Sequence, residues 1–403
     1  MEALVRQLKD VDEKLAELEE RAAVLKNNLE VKKAEKCKPF YARRFEIISG
    51  KSKPNDSELE GFADGSPEEA GNEGTYTGIP YFWLTVLRNQ DTVSEHISKR
   101  DEDALQYLED IRCCKPSDTK ALGGFRVEFH FSSNPYFSQK VLWKQICVAD
   151  NLSPQGMQAA DIADTHCTVN WKDGMNLTFR AVDKKKDKDA KKAKKGKKGN
   201  PLTSGSDGVK LKPCASFFSL FTPTMEALQN EMDFAEDPTA ARLGLTALRE
   251  KAQARAEKTA AIHFEILGAL RQEVIPKAAS IFSTGSLHEP VTGGSHEAGY
   301  DDDDEFEVVS AAEQSVDTLP LPVRKRLHAV QTLQSRAAAE CMTCAADAFR
   351  DLCALDTERQ QLFDKRTAAL STSPPEKAEE KSTAIPRFWL LALKARLRSV
   401  PWT

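Results

Sequence analysis

The sequence predicts an α+β fold, in which one long helix pairs with another helix and leads into a four-stranded antiparallel sheet flanked by helices. Three observations carry this prediction. A leucine seam at heptad spacing runs through residues 1–49, side chains alternate with period two over residues 124–182, and helical spacing returns over residues 239–283.

Leu4, Leu8, Val11, Leu15, Leu18, Ala22, Leu25 and Leu29 recur at alternating steps of four and three, separated by Lys, Glu, Asp, Arg and Asn. This is a heptad repeat, which lines up one apolar stripe on a helix. No Gly or Pro interrupts it before Pro39, and a helix covering the seam would be roughly 50 Å long. Such a rod cannot bury its stripe alone. It lies on its own domain or meets a partner helix, and the regular seam favours a second chain. The expectation is a homodimer held by Leu4, Leu8, Val11, Leu15, Leu18, Leu25 and Leu29.

Residues 50–77 are rich in Gly, Ser, Pro, Asn, Asp and Glu and read as a flexible loop. GIPYFWLTVL at 78–87 reads as a short buried helix, with Pro80 where a first turn accepts it. KRDEDALQYLEDIR at 99–112 reads as a helix with Ala104, Leu105, Leu108 and Ile111 on one face and Asp101, Glu102, Asp103, Glu109 and Asp110 largely on the other. Val127, Phe129 and Phe131 then alternate with Arg126, Glu128 and His130, the pattern of a half-buried strand. SSNP at 132–135 marks a turn and 137–149 the pairing strand, followed by strands at 166–171 and 176–182 joined by the turn WKDG. A four-stranded meander fits these segments.

Residues 183–200 form a lysine-dominated run that cannot fold by burial. It reads as a nuclear-import signal through Lys184, Lys185, Lys186, Lys191, Lys192, Lys194, Lys195, Lys197 and Lys198, or as a solvated hairpin extension. Without an aromatic residue to stack on a base, it attracts phosphate but reads no nucleic-acid sequence. CASFFSLFTP at 214–223 reads as a buried segment leading into helices at 224–234 and 239–283, the latter broken at Pro276. Residues 78–298 thus form one α+β domain, followed by an acidic linker at 299–318. Residues 319–403 then repeat the beginning of the chain: LPLPVRKRLHAVQTLQ opens a second long helix, QLFDKR at 361–366 echoes PFYARR at 39–44, and IPRFWLLAL at 385–393 echoes IPYFWLTVL at 79–87. This reads as a partial second copy ending before any strand. Its helix at 322–370 could pair with the first helix of the same chain, but Ala337, Cys341, Cys344 and Ala348 make a poorer seam, which favours the first helix pairing with its own copy.

Charged residues make up 30% of the chain and the mean hydropathy is -0.50, so a surface-rich protein is expected. No apolar run is long enough to span a membrane, and the charged amino terminus does not look like a signal peptide. The nine cysteines include one CxxC, at Cys341 and Cys344, but no four-ligand zinc spacing, which points to reduced thiols in the cytosol or nucleus. There is no P-loop, no GxGxxG after a strand, no HExxH and no GxSxG, and the seven histidines are dispersed. Neither catalysis nor a cofactor is expected.

Taken in order, the long helix, RRFEIISG, GIPYFWLTVL, DEDALQYLEDI, FRVEFHFSSNPYF, KVLWKQI, VNWKDGMNLT, the lysine run, SFFSLF and EVIPKAASIFSTG resemble the nucleosome assembly protein family of histone chaperones. The resemblance covers residues 1 to about 310. It implies long helices paired antiparallel in a homodimer, a sheet-and-helix dome that cups core histones, one or both of the histone pairs, and residence in the nucleus with cytoplasmic shuttling. The chain departs from the family pattern in two ways. RLGLTALREKAQARAEK at 242–258 has mixed charge where the family is acidic, and the acidic tail is short.

Histones are rich in Lys and Arg, so carboxylates that bind them compete with DNA phosphate and need no ATP. The candidates are Asp301, Asp302, Asp303, Asp304, Glu305 and Glu307; the face of Asp101, Glu102, Asp103, Glu109 and Asp110; and the patch Glu231, Asp233, Glu236 and Asp237. The bland reading of each is a solvated or solubilising surface. The alternative function is a coiled-coil structural or transport adaptor addressed to the nucleus by the lysine run.

Overall fold

The computed structural model describes residues 2–63, 77–115, 124–148, 162–182, 210–222, 245–287 and 316–371. The order of elements is α1 (Glu2–Ile48), α2 (Phe82–Arg88), α3 (Asp91–Ser94), α4 (Lys99–Leu105), β1 (Leu108–Cys114), β2 (Phe125–Phe131), β3 (Val141–Val148), β4 (Ile162–His166), β5 (Phe179–Val182), β6 (Lys210–Pro213), a 3-10 turn (Phe217–Phe221), α5 (Leu245–Ala269), a π turn (Leu270–Val274), α6 (Ile275–Thr284) and α7 (Leu321–Ser371). The chain forms two compact units, Met1–Lys36 with Glu340–Thr403, and Cys37–Ala339. Among the described residues no helix is long and apolar enough to cross a membrane.

The first unit is a pair of helices. The heptad face of α1 turns inward: Leu8, Leu15 and Leu18 are buried, and Val11, Leu25 and Leu29 are half-buried. The Leu4 side chain lies outside the described residues. Asp12 pairs with Arg366 at 3.7 Å and Arg21 with Glu358 at 3.0 Å, so α7 runs antiparallel to α1. Within the single chain, α7 is the helix that lies along this seam. A heptad stripe demands an apolar partner but does not say which chain supplies it.

The second unit is an α+β body. Its sheet has the order β1-β2-β3-β4, every neighbouring pair antiparallel. On β2 the alternation is as expected, with Phe125, Val127, Phe129 and Phe131 buried and Arg126, Glu128 and His130 half-buried. Two strands differ from the expectation. The segment at 99–112 is not one helix; it ends at Leu105 and continues as β1. The register jumps between Leu108 and Asp110, which oppose the consecutive residues Phe131 and His130, so Glu109 is bulged. That bulge keeps Leu108 and Ile111 buried three residues apart, a spacing that mimics a helix. The fourth strand of the sheet is Ile162–His166, whereas Phe179–Val182 pairs with Lys210–Pro213 as a separate hairpin bracketing the lysine run.

SSNP forms the expected turn because Asn134 Oδ1 accepts the N–H groups of Tyr136 (2.9 Å) and Phe137 (3.0 Å). It delivers Phe137 into an aromatic cluster with Phe131, Trp171 and Phe218. The SFF segment is buried as expected, with Phe217 and Phe221 each meeting Phe129 edge-on. At Pro276 the helical run changes hand-over: the π turn precedes it and Lys277 leaves helical geometry (φ -116°, ψ 16°). Gly78 joins α1 to α2 with φ +91°, and the Ile79 N–H donates to the Ile48 carbonyl (2.8 Å). A Cβ at Gly78 would run into that same carbonyl oxygen, so only glycine fits.

The start of the loop after α1 is pinned. Arg43 holds Glu58 through two parallel bonds, Nε to Oε1 at 2.7 Å and Nη2 to Oε2 at 3.0 Å. The first half of α7 sits in this body, where Val323, Leu327, Val330 and Leu333 are buried. The described part of residues 319–403 is therefore the expected second long helix, and IPRFWLLAL lies outside the described residues.

Candidate functional site

The expected acidic face at 101–110 separates into two sets. Asp101 is fully buried, 0% exposed. It closes a capping box with Ser98, whose N–H (2.9 Å) and Oγ–H (2.7 Å) both donate to Asp101 Oδ2. Ser216 Oγ donates to Oδ1 at 2.6 Å and the Phe217 N–H to Oδ2 at 2.9 Å. One carboxylate thus ties the start of α4 to the SFF segment.

Asp110 is also buried, and its Oδ2 accepts from Arg112 Nε at 2.7 Å. Its Oδ1 faces Arg44 Nη2 at 3.7 Å, a charge contact longer than a hydrogen bond. Arg44 lies between the rings of Tyr41 (4.7 Å) and Trp83 (4.9 Å) and donates through Nη1 to the Ile275 carbonyl at 2.5 Å. Burial pulls its guanidinium below the ordinary value, opposed by the Asp110 carboxylate. The assignment of Asp101 and Asp110 to an exposed binding face is therefore corrected: both carboxylates face inward and hold the fold.

Glu102, Asp103 and Glu109 stay at the surface, each half-buried. Glu102 pairs with Arg88 at 2.9 Å, and burial pushes its carboxyl up against the pull of that guanidinium. Bulging at Glu109 turns its carbonyl inward, where it accepts from Trp83 Nε1 at 2.8 Å. The patch Glu231, Asp233, Glu236 and Asp237, the cluster Asp301–Asp304 with Glu305 and Glu307, and the nine lysines from Lys184 to Lys198 all lie outside the described residues. Among the described residues no group of three or more His, Cys, Asp or Glu is placed to hold a metal ion.

The sequence reading missed three polar anchors. Ser98 was legible, because Ser-x-x-Asp is a capping signature. Arg44, 3% exposed, had no signal beyond its place in RRFEIISG. Lys144 is 0% exposed on β3, and its Nζ lies within hydrogen-bond distance of His263 Nδ1 on α5, at 2.8 Å. Its alternate position on an amphipathic strand gave no warning.

The family model described as nucleosome assembly protein matches residues 3–285, more than half of the chain. The chain belongs to the nucleosome assembly protein family. Nucleosome assembly protein 1;3 of Arabidopsis thaliana is 32% identical over 281 residues, covering 69% of this chain and 64% of the relative. Nucleosome assembly protein 1;1 of Nicotiana tabacum is 32% identical over 279 residues, covering 69% and 65%. The chain thus spans less than two thirds of the length of these curated relatives. Among solved structures, that of Nucleosome Assembly Protein 1 from Plasmodium knowlesi aligns at 22% identity with a TM-score of 0.42, covering 70% of this chain and 95% of that one. The family match takes in α1 to α6 and stops at Gly285, so α7 falls outside the nucleosome assembly protein region.

Proposed function

We propose that the chain is a histone chaperone that binds core histones through acidic surfaces and promotes nucleosome assembly without ATP. The observation that carries this reading is the family match over residues 3–285, which takes in both α1 and the sheet with its flanking helices. Glu102, Asp103 and Glu109 contribute from the α4–β1 corner, and the acids Glu231, Asp233, Glu236, Asp237 and the Asp301–Glu307 cluster are further candidates from the sequence. Each carboxylate that meets a histone Lys or Arg occupies a charge that DNA phosphate would otherwise take, so free histone is held soluble until DNA outcompetes the chaperone. The role is nuclear, with the lysines between Lys184 and Lys198 as the import address and the cytoplasm as the second compartment. Either histone pair suits this mechanism. The homodimer through Leu4, Leu8, Val11, Leu15, Leu18, Leu25 and Leu29 of α1 belongs to the same reading.

The test is a relaxed plasmid incubated with core histones, topoisomerase and the purified chain without ATP. Accumulating supercoils are expected, and a plasmid left relaxed would overturn the reading. Replacing Asp301–Asp304 by Asn and Glu305 and Glu307 by Gln should weaken histone binding on the order of tenfold. Unchanged affinity would remove that cluster from the site.

A second reading, a coiled-coil adaptor, draws on the outer face of α7, where Met342 (72%), Phe349 (67%) and Phe363 (40%) stay exposed at multiples of seven residues. A partner helix bound there would be nearly insensitive to salt, whereas histone binding by acids weakens with ionic strength.

A further inference from the structure

We propose that Ser52 is a phosphorylation site, and that Arg326 near the start of α7 and Arg43 near the end of α1 receive the phosphoryl group. This inference does not depend on the histone reading. It starts from a buried cation that lacks an anion. Arg326 is 8% exposed, and among the described residues no carboxylate pairs with it. Its Nη1 donates to the Ser52 carbonyl at 3.0 Å, and its buried Nε meets no acceptor. Burial pulls this guanidinium below its ordinary value, with no nearby acid opposing the pull. A buried charge without a counter-ion is strongly destabilising, so the position is short of negative charge.

The surroundings deepen the deficit. α7 carries Arg324, Lys325 and Arg326 in its first two turns and no acid before Glu340, at the end of a helix where the backbone dipole already favours anions. Ser52 is half-buried between Lys51 and Lys53, both exposed. Its N–H donates to the Glu46 carbonyl (3.1 Å), and its Oγ accepts from Arg43 Nη1 at 2.6 Å. Arg43 and Arg326 thus hold the hydroxyl and the carbonyl of one residue. The carboxylates in contact with this group, Glu46 (2.9 Å) and Glu58 (2.7 Å), are both already bonded to Arg43. Arg43, Lys51, Lys53 and Arg326 therefore exceed them by two charges. A phosphoserine matches that excess, with a charge of about −1.5 to −2 and three strong acceptor oxygens. In the reaction, Ser52 Oγ attacks the γ-phosphorus of ATP bound to a protein kinase, the bond to ADP breaks, and the hydroxyl proton passes to the kinase. Lys51 and Lys53 suit a kinase that favours basic neighbours. The loop after α1 already lies against α7, where Arg336 Nη2 donates to the Ser57 carbonyl (2.7 Å) and the His328 ring meets Phe62 edge-on (5.3 Å). Charge-assisted bonds from the phosphoryl oxygens to Arg43 and Arg326 fasten this loop between the end of α1 and the start of α7.

The test uses the full chain with phosphoserine incorporated at position 52, and the same chain carrying Arg326→Gln. Each is compared with its own unphosphorylated form, so that any loss of stability from the substitution cancels. The readout is amide exchange at Glu58, Leu59 and Phe62, whose N–H groups bond within the loop. Phosphorylation is expected to slow exchange on the order of tenfold in the first chain and less than about twofold in the second. Equal slowing in both chains, no slowing in the first, or faster exchange through repulsion by Glu46 and Glu58 would each overturn the proposal. The same slowing of the unmodified chain by inorganic phosphate alone would also overturn it, by making the site one for free phosphate. In a separate arm, the unmodified chain is treated with ATP and a panel of protein kinases directed to basic sequences. Peptide mapping is expected to find the phosphoryl group on Ser52, and a panel that leaves Ser52 unmodified would overturn the assignment.

Discussion

Replacing Arg44 with alanine is expected to lower the free energy of unfolding by about 4 kcal/mol, read as a shift of the denaturant midpoint. The expectation follows from how many elements meet on one guanidinium. Arg44 belongs to α1, Trp83 to α2, Asp110 to β1, and the Ile275 carbonyl opens α6. Truncation empties the slot between the Tyr41 and Trp83 rings, strands a buried carbonyl, and leaves the buried Asp110 carboxylate with Arg112 as its remaining close cation. The charge and packing contributions separate in the Arg44→Ala, Asp110→Ala double variant. If the unpaired carboxylate dominates, the double variant regains part of the lost stability, because removing both charges leaves none buried alone. A single variant within about 1 kcal/mol of wild type would show that Arg44 is not the joint described here.

The second large effect is expected at Asp101, where alanine should cost about 3 kcal/mol. Its carboxylate takes four bonds, from the Ser98 N–H and hydroxyl, the Ser216 hydroxyl and the Phe217 N–H. Loss of the cap frays α4, and the Ser216 and Phe217 donors, both buried, lose their acceptor. Asp101→Asn keeps one acceptor oxygen and should cost less. Thermal melts beside a histone-binding titration distinguish support of the fold from contact with a ligand. A variant that melts like wild type but loses histone would return Asp101 to the binding surface.

Asp101 and Asp110, both buried, mark the limit of what the sequence makes legible. Where periodicity is simple, as in the α1 seam, the β2 alternation and the Asn-Pro turn, spacing alone places the residues correctly. Where one inserted residue shifts the period, it misleads: the bulge at Glu109 turns a strand into an apparent helix and makes the buried Asp110 look exposed. Pairing is a separate question from existence. Residues 176–182 were recognisable as a strand, but their partner, Lys210–Pro213, lies beyond the lysine run, and the short, polar IADTH gave little sign of being the fourth strand of the sheet. The seam of α1 poses the same problem across a longer distance. Leucines at heptad positions record that a partner helix exists, and within the single chain α7 lies along them. Of the acids proposed to bind histones, the Asp301–Glu307 cluster was legible as composition, since a run of carboxylates needs no fold to be recognised.

The most direct measurement of the central claim is light scattering on a sizing column, for the chain alone and mixed with purified core histones, at about 0.15 M and about 0.5 M salt. Uptake of histones at the lower salt and release of much of them at the higher is the expected result, because screening weakens carboxylate pairing with Lys and Arg. A chain that elutes unchanged with histones at both salt concentrations would contradict the chaperone reading while leaving the fold intact.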